Sequence, residues 1–367
     1  MSVPFADLRA QYLSIKEEMD AAIADVIDNT AFIRTPIITE FEHGFAEMMS
    51  AKHCIGVANG TDAIYIVLKM LGIGQGDEVI TVANSWISSS EVITQAGAKP
   101  VFADIEPGYF TIDPADIERK ITPATKAIIP VHLTGHPAQI DQIMEIAERH
   151  GLFVIEDCAQ SHFATLNGQL AGTFGVASTF SFYPGKNLGA YGDAGGILTN
   201  DDALAEKCRM YANHGALIKH QHHMEGINSR LDGLQAAVLK VKLGHILKWT
   251  EQRQFWAKAY ATALEGIEEI ELPAVRPGAE HVYHLYMIRA QDRDGLQTFL
   301  DARGIQTVIH YPTPLPFLPA YSYLGHSRED FPVAAAYQDA ILSLPFFPEM
   351  NQEMIDYVAE SIRTYYR

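Results

Sequence analysis

Cysteine is scarce. Cys54, Cys158 and Cys208 are the only three, and no two of them stand in CxxC spacing. This argues against a disulfide framework and a thiolate zinc site, and it reads as a reducing cytosol. Basic charge is also short: 27 Lys and Arg against 45 Asp and Glu give a formal net charge of −18. A nucleic-acid or anionic-membrane partner needs a clustered basic surface, so neither is expected. No window reaches the roughly 18 apolar residues of a membrane span. The opening Met1-Ser2-Val3-Pro4-Phe5-Ala6-Asp7 has neither a basic n-region nor an apolar h-region, so no secretory signal is expected. Internal repeats and low-complexity tracts are missing as well. A cytoplasmic chain is the reading that remains.

What is present is an ordinary globular composition, 48% hydrophobic and 20% charged over 367 residues. That length exceeds one ordinary core, and a large plus a small domain is the simplest division. Apolar positions at helical spacing run from Leu8 to about Asp28. From Ile55 strands and helices alternate: Ile55-Val57, a helix over Thr61-Leu71, Glu78-Val82, a helix over Ser88-Gln95, Pro100-Ala103, Ala127-Val131, a helix over Gln139-His150, then Leu152-Ile155. Such alternation predicts an α/β fold with a mostly parallel sheet covered by helices on both faces. A long helical pattern from Leu234 to about Leu264 bridges into a smaller C-terminal α+β unit. The expected division is 1–245 and 246–367.

Two segments carry the chemistry. Phe153-Val154-Ile155-Glu156-Asp157 is an apolar run ending on a carboxylate, and Val176 to Phe182 is an apolar strand followed by Tyr183-Pro184-Gly185-Lys186. The C-terminal end of a parallel strand is where open α/β sheets bind ligands. There Asp157 can hold a pyridine nitrogen protonated, and a partly buried Lys186 has the lowered pKa that favours amine nucleophilicity. A carboxylate for the ring nitrogen and a Lys for a Schiff base are what pyridoxal 5'-phosphate asks of a protein. Taken singly, Asp157 reads as a strand-end cap and Lys186 as a solvated loop residue. Gln160 is near enough in sequence to reach the phenolic oxygen of the same ring, and Ser181 can place its hydroxyl on the phosphate.

Asn59-Gly60-Thr61-Asp62 sits between a strand and a helix, where N–H groups and a hydroxyl form a phosphate cradle, although a simple capped helix explains the same residues. Trp86 offers a flat face for ring stacking or plain core packing. Gly72, Gly74 and Gly76 follow a helix and precede a strand, the reverse of a dinucleotide fingerprint. In Asn228-Ser229-Arg230-Leu231-Asp232 the guanidinium suits a carboxylate or phosphate, or a salt bridge to Asp232. His310-Tyr311-Pro312 ends an expected strand and offers two hydrogen-bonding rings, for substrate or for packing. The run His220-Gln221-His222-His223 lacks ligand spacing, so no metal is expected.

With these segments assembled, the chain resembles the DegT/DnrJ/EryC1/StrS family of sugar aminotransferases, pyridoxal-phosphate enzymes of fold type I. The resemblance runs from Phe5-Ala6-Asp7-Leu8 through the 59–63, 76–80, 97–101, 156–160, 181–187 and 228–232 segments to His310-Tyr311-Pro312. It implies that Lys186 carries the cofactor as a Schiff base and Asp157 pairs with the pyridine nitrogen. Gln160 would contact the phenolic oxygen, and Thr61 and Ser181 the phosphate. An Asn matching Asn228 reaches the phosphate from the neighbouring subunit, which implies a homodimer with shared active sites. Arg230, His310 and Tyr311 match positions that line the amino-acid and sugar pocket. Trp86 replaces the Tyr or Phe often found over the ring, and Gly185 stands where Ser or Thr is frequent.

The implied reaction moves an amino group from L-glutamate (or glutamine) to a keto nucleotide-linked sugar, making amino sugars for surface polysaccharide or a glycosylated metabolite. The Asn228-Ser229-Arg230 form is similar to members that aminate C-3, whereas Asn-Tyr-Arg is commoner among C-4 enzymes. A dehydratase branch carries His in place of the Lys, so Lys186 argues against it. A catalytically inactive relative acting as a regulator would keep the fold and lose Lys186 or Asp157; both are present.

Overall fold

The computed structural model covers Met1–Arg367. Seven strands form the main sheet: β1 (His53–Val57), β2 (Glu78–Val82), β3 (Lys99–Ala103), β4 (Thr125–Ile129), β5 (Phe153–Asp157), β6 (Ala177–Ser181) and β7 (Gly195–Thr199), in the order β1-β7-β6-β5-β4-β2-β3. The run from β6 to β3 is parallel throughout. Only β7 runs against its neighbours, pairing antiparallel with both β1 and β6. The sheet is therefore mostly parallel, as the alternation predicts.

Parallel neighbours need long crossovers, and helices supply them. Gly60–Met70 follows β1, Ser88–Ala96 follows β2, Pro114–Lys120 follows β3 and Ile140–His150 follows β4. Successive strand residues point to opposite faces. Ile128 and Val154 join one apolar cluster with Phe102, Ile117 and Ile143. Their neighbours Ile129 and Ile155 join another with Ile64, Val67 and Leu68. Both faces are thus covered by helices, and the strand ends are the places left for a ligand. Aromatic packing fixes β6 from below: the Phe45 ring lies edge-on to Phe180 at 5.0 Å and to Phe182 at 5.4 Å.

Beyond residue 264, Ile270–Glu271, Tyr286–Ala290 and Ile341–Leu344 make a three-stranded antiparallel sheet. Helices Arg293–Ala302 and Gln352–Tyr365 pack on it through Leu296, Leu300, Ile355, Val358 and Ile362. Val3 joins the same cluster and bridges to Ile305, so the first residues of the chain are tied to its last third.

Three local expectations need correction, and one helix went unread in the sequence. The helical pattern over Leu234–Leu264 is two helices, Gly233–Leu243 and Ile246–Ala263. Gly244 is a poor helix former at the break, and the apolar positions pass from the cluster of Leu239, Ile246 and Trp249 to that of Ala257, Tyr260 and Leu264. The stretch from Leu8 to Asp28 likewise divides at Ile15, whose φ of −129° leaves the helical region. Helix Pro36–Met48 has Pro at its first turn and buries Ile38, Phe41 and Phe45 at helical spacing, a pattern not singled out from the sequence. No strand leads into His310: Val308 alone exchanges hydrogen bonds with Ser343, and the prolines that follow lack the N–H groups to extend the pairing. No helix is long and apolar enough to cross a membrane.

Candidate active site

A cavity of about 450 Å³ opens at the C-terminal ends of the parallel strands. Nine of the residues singled out from the sequence line it: Gly60, Thr61, Trp86, Asp157, Gln160, Ser181, Lys186, His310 and Tyr311. They come from five stretches of chain between residues 60 and 311. The sheet topology brings them together.

Asp157 is the last residue of β5, and its backbone is locked on both sides: Asp157 N–H donates to the Pro130 carbonyl at 2.9 Å, and the His132 N–H donates to the Asp157 carbonyl at 3.1 Å. Its carboxylate accepts the Ala159 N–H at 3.1 Å. Lys186 is delivered from β6 by a turn in which its own N–H donates to the Tyr183 carbonyl at 2.8 Å, with Pro184 and Gly185 between. Asn187 anchors the far side, donating to the Val282 carbonyl at 3.1 Å and facing His284 Nδ1 at 3.2 Å.

Burial acts on both charges. Lost hydration pulls the Lys186 amine down to about 8, against an opposing pull from Asp157. Lost hydration raises the Asp157 carboxyl above its ordinary value, while the Ala159 N–H, Lys186 and His132 work to lower it. The result is an amine with a substantial neutral fraction near neutral pH, and a carboxylate whose desolvation a bound N–H⁺ would relieve.

The depressed amine has a stability consequence. Between about 8 and its ordinary 10.5, Lys186 is deprotonated in the folded chain and still protonated in the unfolded one. The unfolded state then binds more protons, so stability rises with pH through this window. Lys242, buried and held at about 8 by the same loss of hydration, adds a rise of the same sign. Urea midpoints of the cofactor-free chain should increase from about pH 8 to about pH 10, and Lys186→Met should flatten the rise.

The opposite wall suits an anion. Helix Gly60–Met70 starts at the cavity, with Asn59 as its N-cap accepting the Asp62 N–H at 2.8 Å. A Cβ on Gly60 would stand 2.8 Å from the Ser181 Cβ, and one on Gly195 would stand 2.3 Å from the Asn59 carbonyl carbon. Glycine at both positions lets the helix start press against β6 and β7. Thr61 Oγ1 lies 2.7 Å from Ser88 Oγ, and Ser88 opens a second helix at the same wall. Hydroxyls and a helix N-terminus stand together at this wall, an arrangement that favours an anion. Ser85, Ser88, Tyr183 and Asp193 also line the cavity and were not foreseen.

Gln160 is oriented from two sides: its Oε1 accepts the Thr134 N–H at 2.6 Å and its Nε2 donates to the Tyr311 hydroxyl at 3.2 Å. Trp86 is 60% exposed and tilts against Tyr311 with ring centroids 5.8 Å apart, so it is no core residue. His310 Nδ1 sits 3.0 Å from Ser343 Oγ, and burial lowers its imidazole to about 4, aided by the charge of Lys186.

Two residues are not brought to this cavity within one chain. Asn228 is exposed and bridges to Asn213. Arg230 Nη1 donates to Asn213 Oδ1 at 3.1 Å and lines a different cavity of about 270 Å³, with Arg34 and Arg209. It does not pair with Asp232, which caps helix Gly233–Leu243 by accepting the Gln235 N–H. The segment holding these residues lies beside β1, where Ser229 Oγ accepts the Ala58 N–H at 3.2 Å.

Glu156, next to Asp157 on β5, points the other way and is fully buried. Its carboxylate accepts the N–H groups of Gly172, Phe174 and Gly175 at 2.7–2.9 Å and meets His132 Nε2 at 3.0 Å. His132 Nδ1 accepts the Ala138 N–H, so Nε2 carries the proton and neither nitrogen is left for a metal, although Cys158 is close by. Glu156→Ala would orphan three buried donors and a ring N–H, and should lower unfolding free energy by about 3–5 kcal/mol in denaturant titrations. A second acid beside Asp157 was the only signal in the sequence, and it did not reveal these partners.

Comparison with known proteins agrees with this geometry. Residues 13–363 match the sequence model of the DegT/DnrJ/EryC1/StrS aminotransferase family. The chain is 47% identical to a "pleiotropic regulatory protein" of Geobacillus stearothermophilus, covering 100% of this chain and 99% of that one. It is 42% identical to the dTDP-3-amino-3,4,6-trideoxy-α-D-glucose transaminase of Streptomyces venezuelae, over 98% of this chain and 95% of the relative. The crystal structure of S. venezuelae DesV superposes with a TM-score of 0.97 at 41% identity, over 100% of this chain and 99% of that one.

Proposed function

We propose a specific reaction for this chain, which belongs to the DegT/DnrJ/EryC1/StrS aminotransferase family and is a pyridoxal-phosphate-dependent enzyme of amino-sugar biosynthesis. The amino group passes from L-glutamate (or glutamine) to a keto nucleotide-linked sugar, with C-3 favoured over C-4. One observation carries the reading: the half-buried side chain of Lys186 and the buried carboxylate of Asp157 line one cavity at the strand ends.

The residues present fit the cofactor. The glycine approach at Gly60, the hydroxyls of Thr61 and Ser181 and the helix start would hold a phosphate. Lys186 would hold the aldehyde carbon, Asp157 the ring nitrogen's proton, Gln160 the phenolic oxygen and Trp86 one ring face. When bound, pyridoxal phosphate supplies a carbon that accepts and returns an amino group and a ring that takes up the electron pair of a broken bond.

This chain's own residues do the rest. The Lys186 amine removes the proton from the donor's Cα, and in the acceptor half returns a proton to the sugar carbon, as general base and then general acid. Its pull toward a neutral amine makes the first role accessible near neutral pH. Asp157 keeps its cationic partner protonated, and Gln160 is held in one amide orientation by Thr134. His310 and Tyr311 line the entrance for donor and sugar. We assign Asn228 and Arg230 to the site of the second protomer in a homodimer; neither lines the Lys186 cavity of its own chain, which supports this. The helix break at Gly244-His245 supports a boundary between a large domain, 1–245, and a small one, 246–367. Three free, buried cysteines support a cytoplasmic location.

A regulatory reading has one observation in its favour, the name of the Geobacillus relative. The intact Lys186–Asp157 pair weighs against it. Purified protein incubated with L-glutamate and a panel of 3-keto and 4-keto nucleotide sugars decides the matter by mass spectrometry. Amination at C-3 supports the proposal, amination only at C-4 corrects the position, and none with any sugar leaves the regulator.

A further inference from the structure

Transamination as proposed above has a co-substrate that the catalytic residues do not account for. The oxygen of the 2-oxo acid released from the donor comes from water, and the keto oxygen of the acceptor sugar leaves as water. Each half-reaction therefore moves one water at the carbon beside Lys186. With the cofactor and either substrate in the 450 Å³ cavity, the open route to that carbon is occupied in both half-reactions.

A second cavity, of about 280 Å³, lies on the other side of Lys186, beneath the N-terminal segment. Lys186, Gln160, His310 and Tyr311 line both cavities. Its remaining polar wall is Asp7, Gln11, Arg253, His284 and Glu349. Glu349 makes no side-chain hydrogen bond to the protein, and its Oε1 is fully buried. Arg253 is only 7% exposed, yet Nη1 alone bonds protein, donating to the carbonyls of Tyr283 at 3.1 Å and Phe346 at 3.4 Å. A buried polar atom without a partner is destabilising, so Glu349 Oε1 calls for a ligand. Lys186 and Arg253 share this wall with the carboxylates Asp7 and Glu349, and Lys242 also acts on Glu349. The volume far exceeds the roughly 30 Å³ share of one water, and each water would find two or more polar partners.

We propose that this cavity is a water chamber, which delivers and removes the water of the reaction at Lys186 while substrate occupies the front. The proposal rests on the transaminase reading. Its test combines a high-resolution crystal structure of the holoenzyme with stopped-flow measurement of the donor half-reaction. Ordered waters should link Glu349 Oε1 and the Arg253 guanidinium to Lys186. Glu349→Leu should slow the phase that releases 2-oxo acid by about tenfold, a barrier increase of about 1.4 kcal/mol, with the preceding donor-binding phase unchanged. Glu349→Gln keeps an accepting oxygen and should stay within about twofold of wild type. Gln11→Leu provides the same readout should Glu349→Leu fail to fold. A chamber without ordered water, or Leu variants that release product at the wild-type rate, overturns the chamber alone. Wild-type protein that releases no 2-oxo acid from any amino donor overturns both readings.

Discussion

Lys186→Ala lowers turnover by about four orders of magnitude, the upper end of what a positioned acid–base contributes. One side chain is asked to do two things there: hold the cofactor's carbon and shuttle the proton, and nothing else in the cavity is a second amine. Mass spectrometry of the sugar product reads the loss, and the visible absorbance of lysine-bound cofactor disappears with it. Circular dichroism should stay native, because the substitution removes a desolvated amine and no hydrogen bond that the side chain makes. Lys186→Arg should not restore activity: a guanidinium remains protonated at any working pH and cannot act as nucleophile or base. Wild-type turnover by the Ala variant would remove Lys186 from the reaction altogether.

Asp157→Asn is the second large effect. The amide has the carboxylate's shape and can still accept the Ala159 N–H, so local structure should persist. What disappears is a preorganised charge in a dry site, a change that commonly costs about 10²–10³ in turnover. The charge also acts on its neighbour. Asp157 is the group that raises the Lys186 amine against the pull of burial, so its neutralisation should drop that amine below its present value of about 8. Titration of the cofactor-free variant, followed by the pH dependence of amine labelling, checks the sign. An amine that titrates higher in Asp157→Asn would mean that the two groups do not share one cavity.

The parts legible in the sequence were those carried by local pattern. β2, β4 and β5 alternate with helices over 60–150, and each strand has the apolar run of an element buried on both faces. Asp157 and Lys186 stood out because each terminates such a run. Contacts across distant stretches left no local mark. The Gln160–Tyr311 bond spans 151 residues, and Trp86 meets Tyr311 only because the chain returns to the same strand ends. Glu156 drew no reading of its own, since its role depends on three N–H groups from the 172–175 loop. The antiparallel β7 was not foreseen, since direction within a sheet is a property of the connection and not of Gly195-Gly196-Ile197-Leu198-Thr199 itself. The break at Gly244 was hidden by apolar spacing that continues through it.

Asn228 and Arg230 do not line the Lys186 cavity of their own chain. On the proposed sharing of sites, a defect and its cure can then be inherited separately. A cell carrying two dead alleles, one without the Lys186 amine and one without the Asn228 amide, assembles mixed pairs in which one site bears both lesions and the other neither. Random pairing restores about a quarter of the sites. Two null mutations in one gene would complement each other, and neither would complement itself.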